Sequence, residues 1–177
     1  EEAAKVRDWN TLLDPPRRSP RAVELPPVTS RSLASTRMAV LKEGRWQVFF
    51  HYGQVTRSHS QREALNFSAY FGGTDITHDP GTVGYGSPLH RGYYTRALSH
   101  NVPLVNGEGQ ESHHPGELVA FSASPSRVAA AQPKYRANAK ASRELAIEGD
   151  TLIDVAKVET LKGPARLGLA LHLQGDR

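Results

Sequence analysis

Histidine, tyrosine and carboxylate side chains concentrate in one stretch of this chain. Of the eight histidines, seven lie between His51 and His114. This stretch contains the segments HSQREALNFSAYF, HDPGTVGYG and YYTRALSHNVPLVNGEGQ, in which strand-like apolar runs are interrupted by glycine-rich turns. Imidazole changes protonation near neutral pH and also binds metals and anions. The clustering of these side chains on a β framework therefore predicts a functional site.

Composition and charge limit the class of protein. The chain has 177 residues, of which 38% are hydrophobic, 15 are glycine and 12 are proline, which is typical of a loop-rich globular protein. It has no cysteine, so disulfides and thiolate metal sites are excluded. The net charge is +4, but residues 51–115 hold four arginines against five acidic residues. The basic excess therefore lies outside this stretch, and neither nucleic acid nor a membrane is a predicted partner.

Two regions are predicted from the pattern of prolines and apolar residues. Residues 1–27 are predicted to form a short helix over 1–13, with Val6, Trp9, Leu12 and Leu13 at helical spacing, followed by a proline-rich linker. Residues 28–177 are predicted to form a β domain, with strands at 38–41, 46–50, 65–71, 74–77, 102–105, 118–122, 127–131, 145–147, 151–158 and 167–173. Lys42-Glu43-Gly44-Arg45 is a hairpin signature between two of these strands, and Glu148-Gly149-Asp150 is another tight turn. Many short strands with tight turns predict an all-β fold, specifically an antiparallel β-sandwich.

Several motifs occur in an order that resembles one known family. The residues from about Trp46 to Gln110 resemble the β-sheet domain of heparinase II/III-like polysaccharide lyases, a family that includes oligoalginate lyases. The matching residues are His59, Leu65-Asn66-Phe67, Asp79-Pro80-Gly81, Tyr85, Tyr93-Tyr94, Leu98-Ser99-His100-Asn101-Val102, Val105-Asn106-Gly107 and Gln110. Each motif is weak by itself, whereas their common order and spacing are more specific.

The resemblance implies a reaction and a set of site residues. Lyases of this family act by β-elimination on uronic-acid-containing acidic polysaccharides such as alginate or a glycosaminoglycan. A base removes the proton on C5, the C4–O bond breaks, and a donor protonates the leaving oxygen. On this resemblance we expect His59 and Tyr85 to be catalytic. We expect substrate-binding roles for three further residues, Arg57, Tyr94 and His90.

The resemblance also implies a structural divalent metal, most simply zinc. Asp79 and His100 match two of the family's ligands, and Gln61 stands in the third place, where the family has a histidine. The aspartate of the same family motif is Glu63 in this chain. An amide oxygen is a poor zinc ligand beside imidazole. The alternative is that Asp79 and His100 form a hydrogen-bonded pair that steadies two loops.

The expected partners are the acidic polysaccharide and a helical toroid domain of the same protein. In the family this toroid supplies further catalytic residues, so we expect the chain to be a piece of a larger periplasmic or secreted protein and to be inactive in isolation. Two other hypotheses remain open from the sequence. The first is a non-catalytic carbohydrate-binding β-sandwich, and the second is an interaction domain whose histidines are incidental.

Overall fold

A computed structural model describes residues 25–111 and 113–175 of the chain. The helix predicted over residues 1–13 and most of the predicted linker lie outside the described residues. The strands are β1 (Arg31–Leu33), β2 (Met38–Glu43), β3 (Trp46–His51), β4 (Asn66–Phe71), β5 (Thr74–Asp75), β6 (Pro103–Val105), β7 (Glu117–Ala123), β8 (Ser126–Arg136), β9 (Ala139–Glu148), β10 (Thr151–Thr160) and β11 (Leu167–Leu169). Short helical turns occur at Ala34–Thr36, His90–Tyr94 and Ala97–Ser99. No helix in this described part is long and apolar enough to cross a membrane.

The strands form an antiparallel β-sandwich, which confirms the predicted fold class. One sheet has the order β1-β2-β3-β4-β5, and a second has the order β10-β9-β8-β7. A small third sheet pairs β11 with β6. Every pairing is antiparallel.

The main core lies between the two larger sheets. Strands β8 and β9 alternate buried residues with more exposed ones, so one face of their sheet is apolar and packs against the other sheet. The core residues come from both sheets; among them are Leu41, Val48, Phe50, Phe67, Val128, Leu145 and Ile147. Because the core needs both sheets, the loops at the sandwich edges are held in fixed relative positions.

Turn chemistry explains the hairpins that the sequence predicted. The turn between β2 and β3 contains Gly44, and the turn between β9 and β10 contains Gly149; both glycines have positive φ angles, of 52° and 58°. Glycine adopts this conformation without steric cost. The predicted hairpins at these two turns are confirmed by the pairing of Glu43 with Trp46 and of Glu148 with Thr151.

The lengths of several strands differ from the prediction. Strand β9 runs over ten residues instead of the predicted three. Its buried positions before Leu145 hold Arg143 and two alanines, and these residue types do not give the alternating pattern of large apolar side chains that predicts a strand. Strand β11 ends at Leu169, four residues earlier than predicted. After Leu169 the chain continues past the end of β5, where Leu173 forms an antiparallel bridge with Thr77.

The long loops carry the residues that the sequence analysis singled out. One loop connects β3 to β4 and contains His59, and the other connects β5 to β6 and contains Tyr85, His90 and His100. A second small core of Ala97, Val102 and Leu104 supports the end of this latter loop. Loops on a rigid β scaffold are common positions for functional residues.

Candidate functional site

His59, Tyr85 and His90 form one group on the surface, which we call the histidine–tyrosine group. The Tyr85 hydroxyl and His59 Nδ1 are hydrogen-bonded, although the two residues lie on different loops. The rings of Tyr85 and His90 meet edge to face, with their centroids 4.7 Å apart. His90 is held from the other side, because its Nδ1 lies 3.1 Å from the carbonyl oxygen of Val83. The structure therefore brings together three residues that the sequence placed up to 31 positions apart.

The histidine–tyrosine group is open to solvent. The Tyr85 side chain is 67% exposed, and His59 is exposed as well. A phenol and an imidazole in hydrogen-bond contact can pass a proton between them, and solvent exposure leaves both accessible to a ligand. The arrangement can therefore perform general acid–base chemistry on a molecule bound at this surface.

The β3–β4 loop that carries His59 also carries two arginines, Arg57 and Arg62. Arg57 is exposed and Arg62 is half-buried, and within the described part of the chain neither makes an ion pair. Burial lowers the pKa of His113, and the nearby charges of Arg57 and Arg62 lower it further. Within the described residues, Arg57 and Arg62 therefore add positive charge to this loop that no ion pair neutralises.

Tyr94, the remaining predicted substrate-binding residue, is half-buried. Its ring packs edge to face against the exposed ring of Tyr93, with the centroids 5.4 Å apart. Nothing in these contacts joins Tyr94 to the histidine–tyrosine group, and its role stays a prediction.

A second group, Glu63, Asp79 and His100, lies at the base of the same loops; we call it the carboxylate–imidazole group. His100 Nδ1 is 2.9 Å from Asp79 Oδ2, and the backbone N–H of Gly81 donates to Asp79 Oδ1 at 2.8 Å. The Asn66 side-chain amide donates to the same Asp79 carboxylate. Burial raises the pKa of Asp79, but the hydrogen bond and charge of His100, together with Gly81 and Asn66, outweigh it and hold this pKa below its usual value.

The donors of the carboxylate–imidazole group fit a divalent metal. One oxygen each from Glu63 and Asp79 and one ring nitrogen of His100 lie within 4.8 Å of one another. Carboxylate oxygens and imidazole nitrogen are ordinary zinc ligands. His100 is fully buried, and its Nε2 has no hydrogen-bond partner among the described residues. A bound cation here would tie the β3–β4 loop to the β5–β6 loop, so its contribution would be structural.

Glu63 is a ligand candidate that the family resemblance did not single out, since Gln61 held the third ligand place there. Glu63 stands where the resembled motif has an aspartate, so the signal was present in the sequence. The Gln61 side-chain oxygen is buried and has no hydrogen-bond partner among the described residues. The alternative hydrogen-bonded pair of Asp79 and His100 is also present, and it is compatible with metal binding.

Asn66 and Arg143 are further residues of the site, and the sequence assigned no role to either of them. Asn66, the first residue of β4, joins two distant parts of the β5–β6 loop, since its Oδ1 accepts from the backbone N–H of Asn101 at 3.0 Å while its amide donates to Asp79. Arg143 reaches across the core from β9 and donates to the carbonyl oxygens of Leu65 (2.8 Å) and Asn101. These contacts fix the two chain segments that carry the carboxylate–imidazole group.

The Arg143 guanidinium is itself held by a carboxylate on the neighbouring strand. Asp154 of β10 accepts two hydrogen bonds from it, at 2.7 and 2.6 Å. The guanidinium also lies over the Phe67 ring, 4.5 Å from its centroid. A bidentate pair of this kind has a defined geometry. Asp154 therefore fixes the Arg143 guanidinium relative to the second sheet, and the guanidinium in turn holds the carbonyl groups that it contacts.

Solved structures with a similar fold are polysaccharide lyases by their names. A heparinase III with methylated lysines aligns with a TM-score of 0.67 and 18% identity over 77% of this chain and 23% of that one. The heparan sulfate lyase HepC from Pedobacter heparinus aligns with a TM-score of 0.63 and 15% identity over 74% of this chain and 22% of its own. The chain therefore spans about a quarter of the length of these structures. Comparison with curated proteins finds no match.

The sequence identities to these solved structures are low and show only a shared fold. The family itself is shown by a family model. The model for the heparinase II/III-like, C-terminal family matches residues 26–175, which is nearly the whole described part of the chain. This match agrees with the sandwich fold and with the motif order between Trp46 and Gln110. The chain belongs to the heparinase II/III-like C-terminal family.

Proposed function

We propose that this domain forms one wall of the active site of a polysaccharide lyase that cleaves uronic-acid-containing chains by β-elimination. The observation that carries the proposal is the exposed hydrogen bond between Tyr85 and His59, made across two loops. Membership of a family whose similar structures are named heparinase III and heparan sulfate lyase supports the reaction class.

The chemistry of β-elimination explains why this pair suits the reaction. The C5 proton is weakly acidic, so the reaction needs a base within hydrogen-bond reach and stabilisation of the negative charge that develops beside the uronate carboxylate. A phenol has a reference pKa of about 10 and needs a nearby positive or proton-accepting group to act as a base. In the proposal Tyr85 contacts the sugar and exchanges the proton, and His59 accepts that proton from the phenol or neutralises the uronate.

The charge near the pair supports an acidic substrate. Arg57 and Arg62 are not engaged in ion pairs within the described residues, so they are available to a carboxylate or sulfate on the sugar. The ring of His90 completes the surface beside Tyr85. We assign Arg57 and His90 to substrate binding, with a polymer of the alginate or glycosaminoglycan type as the substrate.

The proposal includes a larger protein around this domain. Since the chain spans only about a quarter of the similar lyases, we assign the remaining catalytic groups to a toroid domain of the same protein. Large acidic polysaccharides lie outside the cytoplasm, so we propose a periplasmic or secreted location.

Replacing His59 tests the proposal. In the intact protein, His59→Ala should lower kcat by about 100-fold or more, because general acid–base groups contribute about 10²–10⁴-fold. The rate is measured as ultraviolet absorbance of the unsaturated product, and circular dichroism checks the fold. His78→Ala is the matched control, since His78 is an exposed histidine outside the histidine–tyrosine group.

Two outcomes would contradict the proposal. Wild-type turnover in the His59→Ala protein would remove His59 from the reaction. Binding of alginate or heparan sulfate by the intact wild-type protein without any unsaturated product would instead favour a non-catalytic carbohydrate-binding module.

A further inference from the structure

The loop segment that carries His59 has few contacts of its own with the rest of the molecule. Among the described residues, no backbone–backbone hydrogen bond involves residues 55–61. His59 also has a φ angle of 58°, in the left-handed region that non-glycine residues rarely adopt. Such a conformation persists only where the surroundings impose it. Some other interaction must therefore hold this segment.

The side chain of Gln54, near the start of the β3–β4 loop, supplies that interaction. Its side chain is buried, with 5% of its surface exposed, and its Nε2 donates to the backbone carbonyl oxygen of Gln61. The bond joins the start of the loop to a residue two positions beyond His59. It closes residues 54–61 into a ring with His59 inside it.

Gln110 fixes the Gln54 side chain in turn. The Gln110 side chain is 2% exposed; its Nε2 donates to Gln54 Oε1 at 2.5 Å, and its Oε1 accepts from the backbone N–H of Ala64 at 2.6 Å. Buried amides with both ends bonded have one orientation, because a flipped amide would leave buried groups unpaired. The two glutamines therefore hold both the ring and the end of the loop.

The neighbours of Gln110 connect this pair to the second sheet. The Gly109 carbonyl oxygen accepts from Arg136 Nη1 at 2.7 Å, and the Glu111 N–H donates to the Tyr135 carbonyl oxygen at 2.8 Å. Both Tyr135 and Arg136 belong to the end of β8. The segment around Gln110 is thus attached to the sandwich through the end of β8.

We propose that Gln54 and Gln110 are positioning residues that hold His59 against Tyr85 for the elimination reaction. This inference rests on the proposed function of His59 and adds to it a pair of buried amides that touch neither the substrate nor the reacting atoms. A displacement of about 1 Å at a catalytic group can cost about 10²-fold in rate. Without the Gln54 donor, residues 55–61 lose their bond to the buried interior, and His59 leaves its place beside Tyr85.

The test is a double-mutant cycle with Gln54→Met in the intact protein, measured by formation of unsaturated product. Methionine keeps the length and volume of the side chain and removes both polar ends. We expect kcat to fall about 10-fold or more with KM changed less than about threefold, because the chemical step depends on the alignment of His59. In the His59→Ala background the same substitution should change kcat less than about twofold, since the group it positions is already absent.

Gln132→Met is the matched control for lost buried hydrogen bonds. The Gln132 side chain is 1% exposed and donates to the carbonyl oxygens of Tyr52 (2.7 Å) and His114 (3.3 Å), and among the described residues it makes no hydrogen bond to residues 55–61. We expect this variant to lose thermal stability comparably while keeping kcat. If Gln54→Met does not fold, Gln54→Glu replaces it, since glutamate keeps the acceptor for Gln110 and puts a carboxylate oxygen in place of the donor to Gln61.

The outcomes separate this inference from the proposed function. A large loss in His59→Ala combined with wild-type kcat in the folded Gln54 variant would overturn the positioning role and leave the lyase proposal intact. An equal loss from the Gln54 substitution with and without His59 would also overturn it, because the effect would not act through His59. Full activity of His59→Ala would overturn both.

Discussion

The pair formed by Arg143 and Asp154 gives a prediction whose size follows from the structure. Asp154→Ala removes the acceptor of two charged hydrogen bonds, of 2.7 and 2.6 Å, from a guanidinium that is fully buried. Hydrogen bonds to charged groups contribute about 1.5–3 kcal/mol each, and removing one partner of a buried ion pair costs roughly 3–5 kcal/mol. The Asp154 side chain is 20% exposed, so water can replace part of what is lost. We therefore expect the lower end, about 3 kcal/mol.

Urea denaturation followed by circular dichroism measures this loss, and a thermal melt measures the accompanying change in Tm. For a domain of this size about 3 kcal/mol corresponds to a decrease in Tm of roughly 6–12 °C. The matched control is Glu159→Ala on the same strand, which breaks an exposed pair with Lys140 at 3.0 Å. Exposed pairs contribute about 0–1 kcal/mol, so the control should stay within that range.

The effect of substituting Asp154 is expected to depend on whether Arg143 is present. In an Arg143→Met background, Asp154→Ala should cost less than about 1 kcal/mol, because no buried charge is left unpaired. A loss below about 1 kcal/mol for Asp154→Ala in the wild-type background would refute the argument. It would mean that water solvates the guanidinium and that the pair does not fix the loops through the core.

Two further predictions concern packing and metal binding. Gly109→Ala should destabilise the domain by about 3 kcal/mol in urea denaturation, because the new Cβ would lie 2.1 Å from the Cβ of Ala97. Gly92→Ala is the control. A Cβ at Gly92 meets nothing within 4 Å, so this substitution should change stability by less than about 0.5 kcal/mol. Equal losses of stability from the two substitutions would show that the backbone around Gly109 moves to make room for the new Cβ. In calorimetric titration of metal-free protein with zinc, Glu63→Gln should weaken binding about tenfold or more, whereas Gln61→Ala should leave it unchanged. The reverse result would assign the third ligand to Gln61.

Local signals in the sequence predicted the elements that depend on neighbouring residues. The alternation of apolar residues and the glycines at positions 44 and 149 predicted the hairpins, because a tight turn needs a residue that accepts a positive φ angle. Strand β9 was underestimated, since alanines and a buried arginine do not show which face of a strand is covered. Burial of Arg143 depends on acceptors at positions 65, 101 and 154, and no local pattern contains them.

The sequence by itself determined the fold class, the family resemblance and the residue types available for acid–base chemistry. Only the tertiary structure decided which of these residues meet within the described part of the chain: Tyr85 with His59, and Glu63 with Asp79 and His100. The physical reason is that loop residues far apart in the chain are brought together by strand pairing and by buried hydrogen bonds. Those contacts depend on the positions of several segments at once, and no short stretch of sequence specifies them.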